Sequence, residues 1–280
     1  MKLAGVVVVY NPPNEVINNM KSYLDELDIL FVIDNSSNDK FGKFLDVQDI
    51  KYIPLLENKG IAYALNLGAK KAIEYGCDYL LTMDQDSCFQ QGGVDFLKQF
   101  ICQDENRSSV GIYSPFHKTT ISPDRPVEDV SSPLVVMTSG NIINLQIYNA
   151  VGGFKDWFFI DCVDFDYGLN LRKNGFDIKQ INSVILEHEL GDYEIKHFFG
   201  KKVFCDNHSA LRRYYIVRNS FYIYDLYHEE FPDYCAAVVN EAKSSFFYAT
   251  VFEKHGFKKL RYMIRGYLDF KKRVVGPYHN

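Results

Sequence analysis

Four short apolar runs, rich in β-branched and aromatic residues, lie at 6–10, 29–33, 52–55 and 79–83. Two stretches between them place apolar residues at helical spacing. Residues 15–27 do so through Val16, Met20, Tyr23/Leu24 and Leu27, and residues 60–75 through Ile61, Ala64/Leu65, Gly68/Ala69 and Ala72/Ile73. Strands alternating with helices predict a mostly parallel sheet with right-handed crossovers. Ligands of such sheets bind beyond the carboxyl ends of the strands. Residues 104–136 have little periodicity and contain Pro115, Pro123, Pro126 and Pro133, which predicts loops and short strands. A further strand is expected at 135–138. Gly152-Gly153 then breaks the chain before the acids Asp161, Asp164 and Asp166, which open a helix over 164–173 that Gly175 ends. From about Leu211 the chain reads as helical.

The first apolar run is too short for a signal peptide or a membrane span, and Asn11-Pro12-Pro13 stops it. No later stretch reaches about 18 consecutive apolar residues. With 280 residues, 47% of them hydrophobic, the chain can bury one large α/β domain, with or without a helical appendage. The expected division is 1–210 for the main domain and 211–280 for a basic, aromatic helical extension. The six cysteines show neither a C-x-x-C pair nor finger spacing, which fits free thiols in a reducing, cytoplasmic setting. Net charge is −5, yet 254–273 holds eight Lys/Arg against the single acid Asp269. This asymmetry argues against nucleic acid as a partner of the main domain. It points instead to a local anionic partner, such as the inner face of a membrane reached through residues 246–273, with a helix packed on the domain and its charges in water as the plainer alternative.

The chemistry-bearing signal is Leu80-Leu81-Thr82-Met83-Asp84-Gln85-Asp86-Ser87, with two carboxylates at i and i+2 at the end of a buried run. Alternate residues of extended chain point the same way, so Asp84 and Asp86 can face one cation. Hard oxygen donors without a neighbouring Cys or His pair suit Mg²⁺ or Mn²⁺ on a diphosphate. A solvated turn with a helix cap is the structural alternative.

Seven segments together resemble family 2 of the nucleotide-sugar glycosyltransferases, and within it the bacterial rhamnosyltransferases. They are Val8-Val9-Tyr10-Asn11-Pro12, Val32-Ile33-Asp34-Asn35-Ser36-Ser37, residues 58–68, Asp84-Gln85-Asp86, residues 159–166, Glu187-His188-Glu189-Leu190-Gly191-Asp192, and residues 213–219. The resemblance implies a GT-A fold, a Rossmann-like mixed and mostly parallel sheet flanked by helices. It further implies inverting transfer of a sugar from a nucleotide diphosphate, such as dTDP-rhamnose or a UDP-sugar, to a glycan or polyprenol-linked acceptor. It places Tyr10, Asn11, Asp34, Asn58, Gly60, Asn66 and Asp84 at the nucleotide sugar, and Arg213, Tyr215 and Arg218 at donor phosphates or acceptor. Asp84, Asp86 and His188 would be metal contacts. Asp164 would be the base, with Asp161 and Asp166 as second choices, because Val163 stands where this family usually has Glu. A nucleotidyltransferase of similar fold is a rival, although Tyr10-Asn11-Pro12-Pro13 offers no Gly-rich basic loop after the first strand. A non-catalytic carbohydrate-binding protein is another.

Overall fold

A computed structural model of the chain describes residues 1–42, 49–119, 124–188, 194–198 and 201–279, with the side chains of His188 and Lys201 outside that description. The chain divides into two compact units, Met1–Asp156 with Asp164–Glu189, and Trp157–Val163 with Leu190–Asn280.

The first unit contains β1 (Leu3–Val9), α1 (Val16–Met20), β2 (Ile29–Asp34), β3 (Ile50–Pro54), α2 (Ile61–Glu74), β4 (Tyr79–Asp84) and β5 (Ser87–Phe89). It continues with α3 (Gly93–Gln103), β6 (Val110–Lys118), β7 (Val130–Ser131), β8 (Asn141–Asn144), α4 (Leu145–Val151), α5 (Val163–Lys173) and β9 (Asp177–His188). One mixed sheet runs in the order β3-β2-β1-β4-β8-β6-β9-β5, with β7 also on β9. β3, β2, β1 and β4 are mutually parallel, while β8 runs antiparallel between β4 and β6. Strands covered on both faces need no polar alternation, which is why β1 and β2 read as continuous apolar runs. Val7, Leu30, Val32, Leu81, Met83 and Ile142 form the centre of the core.

Helix α2 lies against β1 at Gly68, where an added Cβ would come within 2.3 Å of Val6 Cγ2. Gly68→Ala is therefore expected to lower the melting temperature. Overpacking costs about 1–3 kcal/mol, and the better helix propensity of Ala offsets only about 1 kcal/mol of that. A variant that melts at or above wild type would show that Val6 yields without cost.

Three expectations are corrected. Residues 15–27 do not make one helix: α1 ends at Met20 and a separate 3₁₀ turn covers Leu24–Glu26. Asn18 and Asn19 are poor helix formers, the Asn19 amide donates to the Gln85 carbonyl (2.8 Å), and Ser22 Oγ takes the Asn19 carbonyl (2.7 Å). The apolar stripe survives, since Val16, Met20 and Tyr23 are all buried. Second, the Pro-containing stretch holds β6, a nine-residue strand. Its residues from Val110 to His117 are buried, so no alternation betrays it, and Pro115 is tolerated because the pairing with β9 shifts register at Pro115/Phe116. Third, 135–138 is not a strand; the strand is Asn141–Asn144. The carbonyls of Met137 and Thr138 are taken by the side chains of Asn141 (2.8 Å) and Thr82 (2.6 Å) instead of a ladder.

The second unit contains the hairpin β10 (Glu194–Phe198) and β11 (Lys201–Cys205) and the helices α6 (Ala210–Tyr227), α7 (Pro232–Phe252) and α8 (Gly256–Lys271). The expected C-terminal helices are present. Val217, Ala249 and Met263 meet at the centre of the three helices. Among the described residues no helix is long and apolar enough to cross a membrane.

Candidate functional site

The register of the parallel strands sets the first part of the site. Val9 pairs with Asp34 and Val8 with Asp84, so Tyr10, Asp34 and Asp84 come to one carboxyl edge of the sheet. The loops there are stitched together by side chains. Tyr10 N–H donates to Gln85 Oε1 (2.9 Å) and Asn11 N–H to Ser36 Oγ (2.7 Å). Asn11 adopts φ 44°, a left-handed conformation that Asn tolerates better than most residues.

Asp34 is 1% exposed. Its Oδ1 accepts from Ser36 N–H (2.8 Å) and its Oδ2 from the Tyr52 hydroxyl (2.7 Å). Burial, and then Asp34 itself, push the Tyr52 hydroxyl pKa upward, so Tyr52 stays a donor. These bonds use two of the roughly four lone-pair sites of the carboxylate.

Asn35 was not singled out by sequence, yet it is the clamp of the next loop. Its amide donates to the Gly60 carbonyl (3.1 Å) and its Oδ1 accepts from Lys59 N–H (3.1 Å). Asn58 Oδ1 accepts from Gly60 N–H (2.9 Å). Gly60 has φ 88° and ψ 161°, a conformation essentially reserved for glycine, and it immediately precedes α2. The exposed Asn58 and the positive N-terminal end of α2 therefore open at this same sheet edge.

Asp84 ends β4 half-buried, with its N–H donating to the Ser139 hydroxyl (3.0 Å), and Asp86 follows in the turn, exposed. Tyr23, 1% exposed, lies near enough for Asp84, after burial, to raise its hydroxyl pKa. Among the described residues no three His, Cys, Asp or Glu converge as a metal cage. Two carboxylates on one turn nevertheless fit Mg²⁺ or Mn²⁺, which ordinarily take one or two carboxylates and complete their shell with substrate phosphates and water. The His188 side chain and residues 189–193 lie outside the described residues.

Asp164 occupies the first turn of α5, half-buried, with Oδ1 accepting from Phe165 N–H (3.0 Å). Asp166 is 1% exposed and ion-paired to Lys155 (2.6 Å). Asn66, expected at the nucleotide, holds the turn before the acidic segment. Its Nδ2 donates to the Phe154 carbonyl (2.7 Å) and to Asp156, while its Oδ1 accepts from Phe154 N–H (3.1 Å) and the Tyr148 hydroxyl.

In the second unit, Phe159, Asp161 and Cys162 all have positive φ (68°, 60° and 61°). Such strain persists only where surroundings over-determine it. Here Asn219 Nδ2 donates to the carbonyls of Phe158, Ile160 and Asp161 (2.9, 2.8 and 3.0 Å). The fully buried Arg218 donates to those of Trp157 and Phe158 (3.3 Å each) and of Gly276 (2.6 Å). Arg218 thus shapes the acidic segment from within its own unit. Tyr215 stacks on Phe159 at 5.0 Å and accepts from Tyr278 N–H (2.6 Å), and Arg213 is held between Asp206 and Glu253.

Asp161, 12% exposed, accepts from Arg212 Nε (3.0 Å). Burial nonetheless raises its carboxyl above the usual range, with Arg212 opposing. A raised folded pKa favours the fold below the unfolded value, and that contribution is lost as pH rises through the folded one. Asp161→Asn keeps an oxygen for Arg212 and buries no charge. Its melting temperature should match wild type at acid pH and exceed it at neutral pH. A lower value at neutral pH would mean that the Arg212 pair outweighs the burial.

The family model "Glycosyl transferase family 2" matches residues 6–133. The chain is 29% identical over 236 residues to the dTDP-rhamnosyl transferase RfbF of Shigella flexneri, covering 78% of each chain. Among solved structures, GalNAc-T7 with UDP, GalNAc and Mn²⁺ superposes with a TM-score of 0.65 at 13% identity. All of this chain is covered, and it spans 59% of the GalNAc-T7 chain. S. aureus TarS 1–349 in complex with UDP-GlcNAc superposes with a TM-score of 0.61 at 16% identity, covering 98% of this chain and 82% of that one. Identities this low speak for the fold, which is GT-A.

Proposed function

We propose that this chain is a member of glycosyltransferase family 2 and transfers L-rhamnose from dTDP-L-rhamnose to an acceptor hydroxyl, inverting the anomeric carbon. The acceptor is a cell-surface polysaccharide or a lipid-linked glycan. The observation that carries the reading is the alignment of Asp34, Asp84 and Asp86 along one carboxyl edge of the sheet, in a chain similar to a dTDP-rhamnosyl transferase.

Tyr10, Asn11, Asp34, Asn58 and Gly60 receive the base and ribose. Asp84 and Asp86, with His188, would hold Mg²⁺ or Mn²⁺, which when bound neutralises charge on the diphosphate leaving group. Asp164 accepts the acceptor hydroxyl proton while that oxygen attacks C1 from the face opposite the diphosphate. The C1–oxygen bond breaks and its electron pair leaves with the nucleotide. Asp164 stands half-buried in the first turn of α5, whereas Asp166 is 1% exposed and ion-paired to Lys155, which supports Asp164 as the base. Residues 1–210 carry donor binding and catalysis and 211–280 the extension. Within 246–273 the exposed Phe247, Tyr248, Val251, Phe257, Ile264 and Leu268 support contact with the inner face of the cytoplasmic membrane.

The test is a thermal-shift panel of dTDP, UDP, GDP and CMP with and without Mn²⁺ or Mg²⁺. With metal, dTDP at about 100 times its Kd should stabilise the fold by about 2.7 kcal/mol. Preferential stabilisation by UDP would replace the donor, and silence from every nucleotide with metal present would remove the transferase assignment.

A further inference from the structure

A cavity of about 620 Å³ opens within the C-terminal unit, where its lining includes His208, Ser209, Lys254, His255, Lys258 and Lys259. The wall behind it is internally compensated. Glu253 is shared by Lys259 (2.7 Å) and Arg213 (2.5 Å), Asp206 also pairs with Arg213, and Arg212 pairs with Asp161. The one acid of the lining, Glu194, has Lys196 at 3.5 Å. Lys254 and Lys258, both exposed, have no ion pair among the described residues, so the cavity carries a surplus of two cations at its mouth.

Two further features suit an anion. The cavity touches the starts of α6, capped by Ser209, and of α8, preceded by His255, so the positive ends of two long helices meet it. Burial, then Arg212 and Arg213, push the His208 pKa down to about 3, which leaves a neutral imidazole able to donate a hydrogen bond. Phe257, between the lining residues His255 and Lys258, is 84% exposed and sets an apolar surface beside the cationic mouth.

We propose that this cavity binds a phosphate group, as a phosphate or diphosphate ester, at a site separate from the donor diphosphate held by Asp84 and Asp86. Lys254 and Lys258 supply the charge, while the helix starts and His208 supply N–H donors. No divalent ion takes part.

The experiment is calorimetric titration of the full chain with inorganic diphosphate in low salt and EDTA, in an Asp86→Ala background that disables the donor site. Saturable binding is expected, weakened about tenfold or more by Lys254→Glu with Lys258→Glu. Charge reversal at Lys70, exposed on α2, should leave it unchanged. Co-sedimentation with phosphatidylcholine vesicles containing phosphatidate separates the sources. Lysine-dependent binding to both probes identifies a lipid-borne phosphate, and to diphosphate alone a soluble ester. No binding of diphosphate, or binding that survives the double reversal, overturns the proposal. Because EDTA and Asp86→Ala silence the donor site throughout, this outcome is independent of the transferase reading.

Discussion

Asp86→Ala is expected to remove the metal-dependent stabilisation by dTDP and to slow sugar transfer by roughly 100- to 1000-fold, the range found when one preorganised electrostatic contact to a developing charge is deleted. Asp86 is exposed in the turn after β4 and outside the core, so the melting temperature without ligand should stay close to wild type. This separates it from Asp84, which is half-buried, has its N–H tied to Ser139 and lies near the buried Tyr23. Replacing Asp84 would mix a binding defect with a packing defect. Asp86→Asn is the sharper companion: it preserves the shape of the turn and removes only the charge. If transfer by Asp86→Ala retained wild-type dependence on Mn²⁺ or Mg²⁺, the cation would have to be held elsewhere, and the carboxylate pair would revert to a solvated turn.

Asp164→Asn is expected to lower kcat by about 100- to 10,000-fold, the usual worth of a positioned general base. Affinity for dTDP and metal should be unchanged. Such a split follows from its place at the first turn of α5, an element separate from the loops that hold Tyr10, Asp34 and Asn58. Asp161→Asn and Asp166→Asn are the controls. Asp166 is buried against Lys155, so its loss should appear first as a lower melting temperature. Should Asp161→Asn abolish kcat while Asp164→Asn remains active, the base would be the strained, raised-pKa carboxyl on the 159–162 turn, and Arg212 would be its positioning residue.

Much of the carboxyl edge of the sheet was legible because it depends on short-range rules. Apolar runs of strand length between helical stripes place β1 to β4 and α2 within about three residues at each end. A carboxylate at the end of a parallel strand arrives at the carboxyl edge of the sheet, so the placement of Asp34 and Asp84 there follows from the strand pattern alone. The errors arose where a local pattern has two physical causes. Prolines signal loops unless a register shift removes the need for the missing N–H, as at Pro115 in β6. An apolar stripe signals a helix unless side chains of Asn and Ser compete for its backbone, as Asn19 and Ser22 do. Asn66 and Arg218 show the same ambiguity in side chains. An amide or a guanidinium serves a phosphate or a backbone carbonyl with the same donors, and both residues donate to carbonyls within their own unit.

What the sequence alone determined is the alternation of β1 to β4 with α2, the carboxylate pair at the end of β4 and the acidic opening of α5, because hydrophobic period and helix-end electrostatics are properties of neighbours along the chain. What only the tertiary structure decided is which polar groups are claimed by partners within the fold. Asn35, Ser36, Ser139 and Lys155 close the loops and pair the acids across separations that no local pattern encodes. The unpaired lysines of the C-terminal cavity likewise stand out only once Glu253 and Asp206 are seen to be claimed by their neighbours. A buried polar group must find its partner wherever the fold brings one, and that partner's distance along the chain is set by topology.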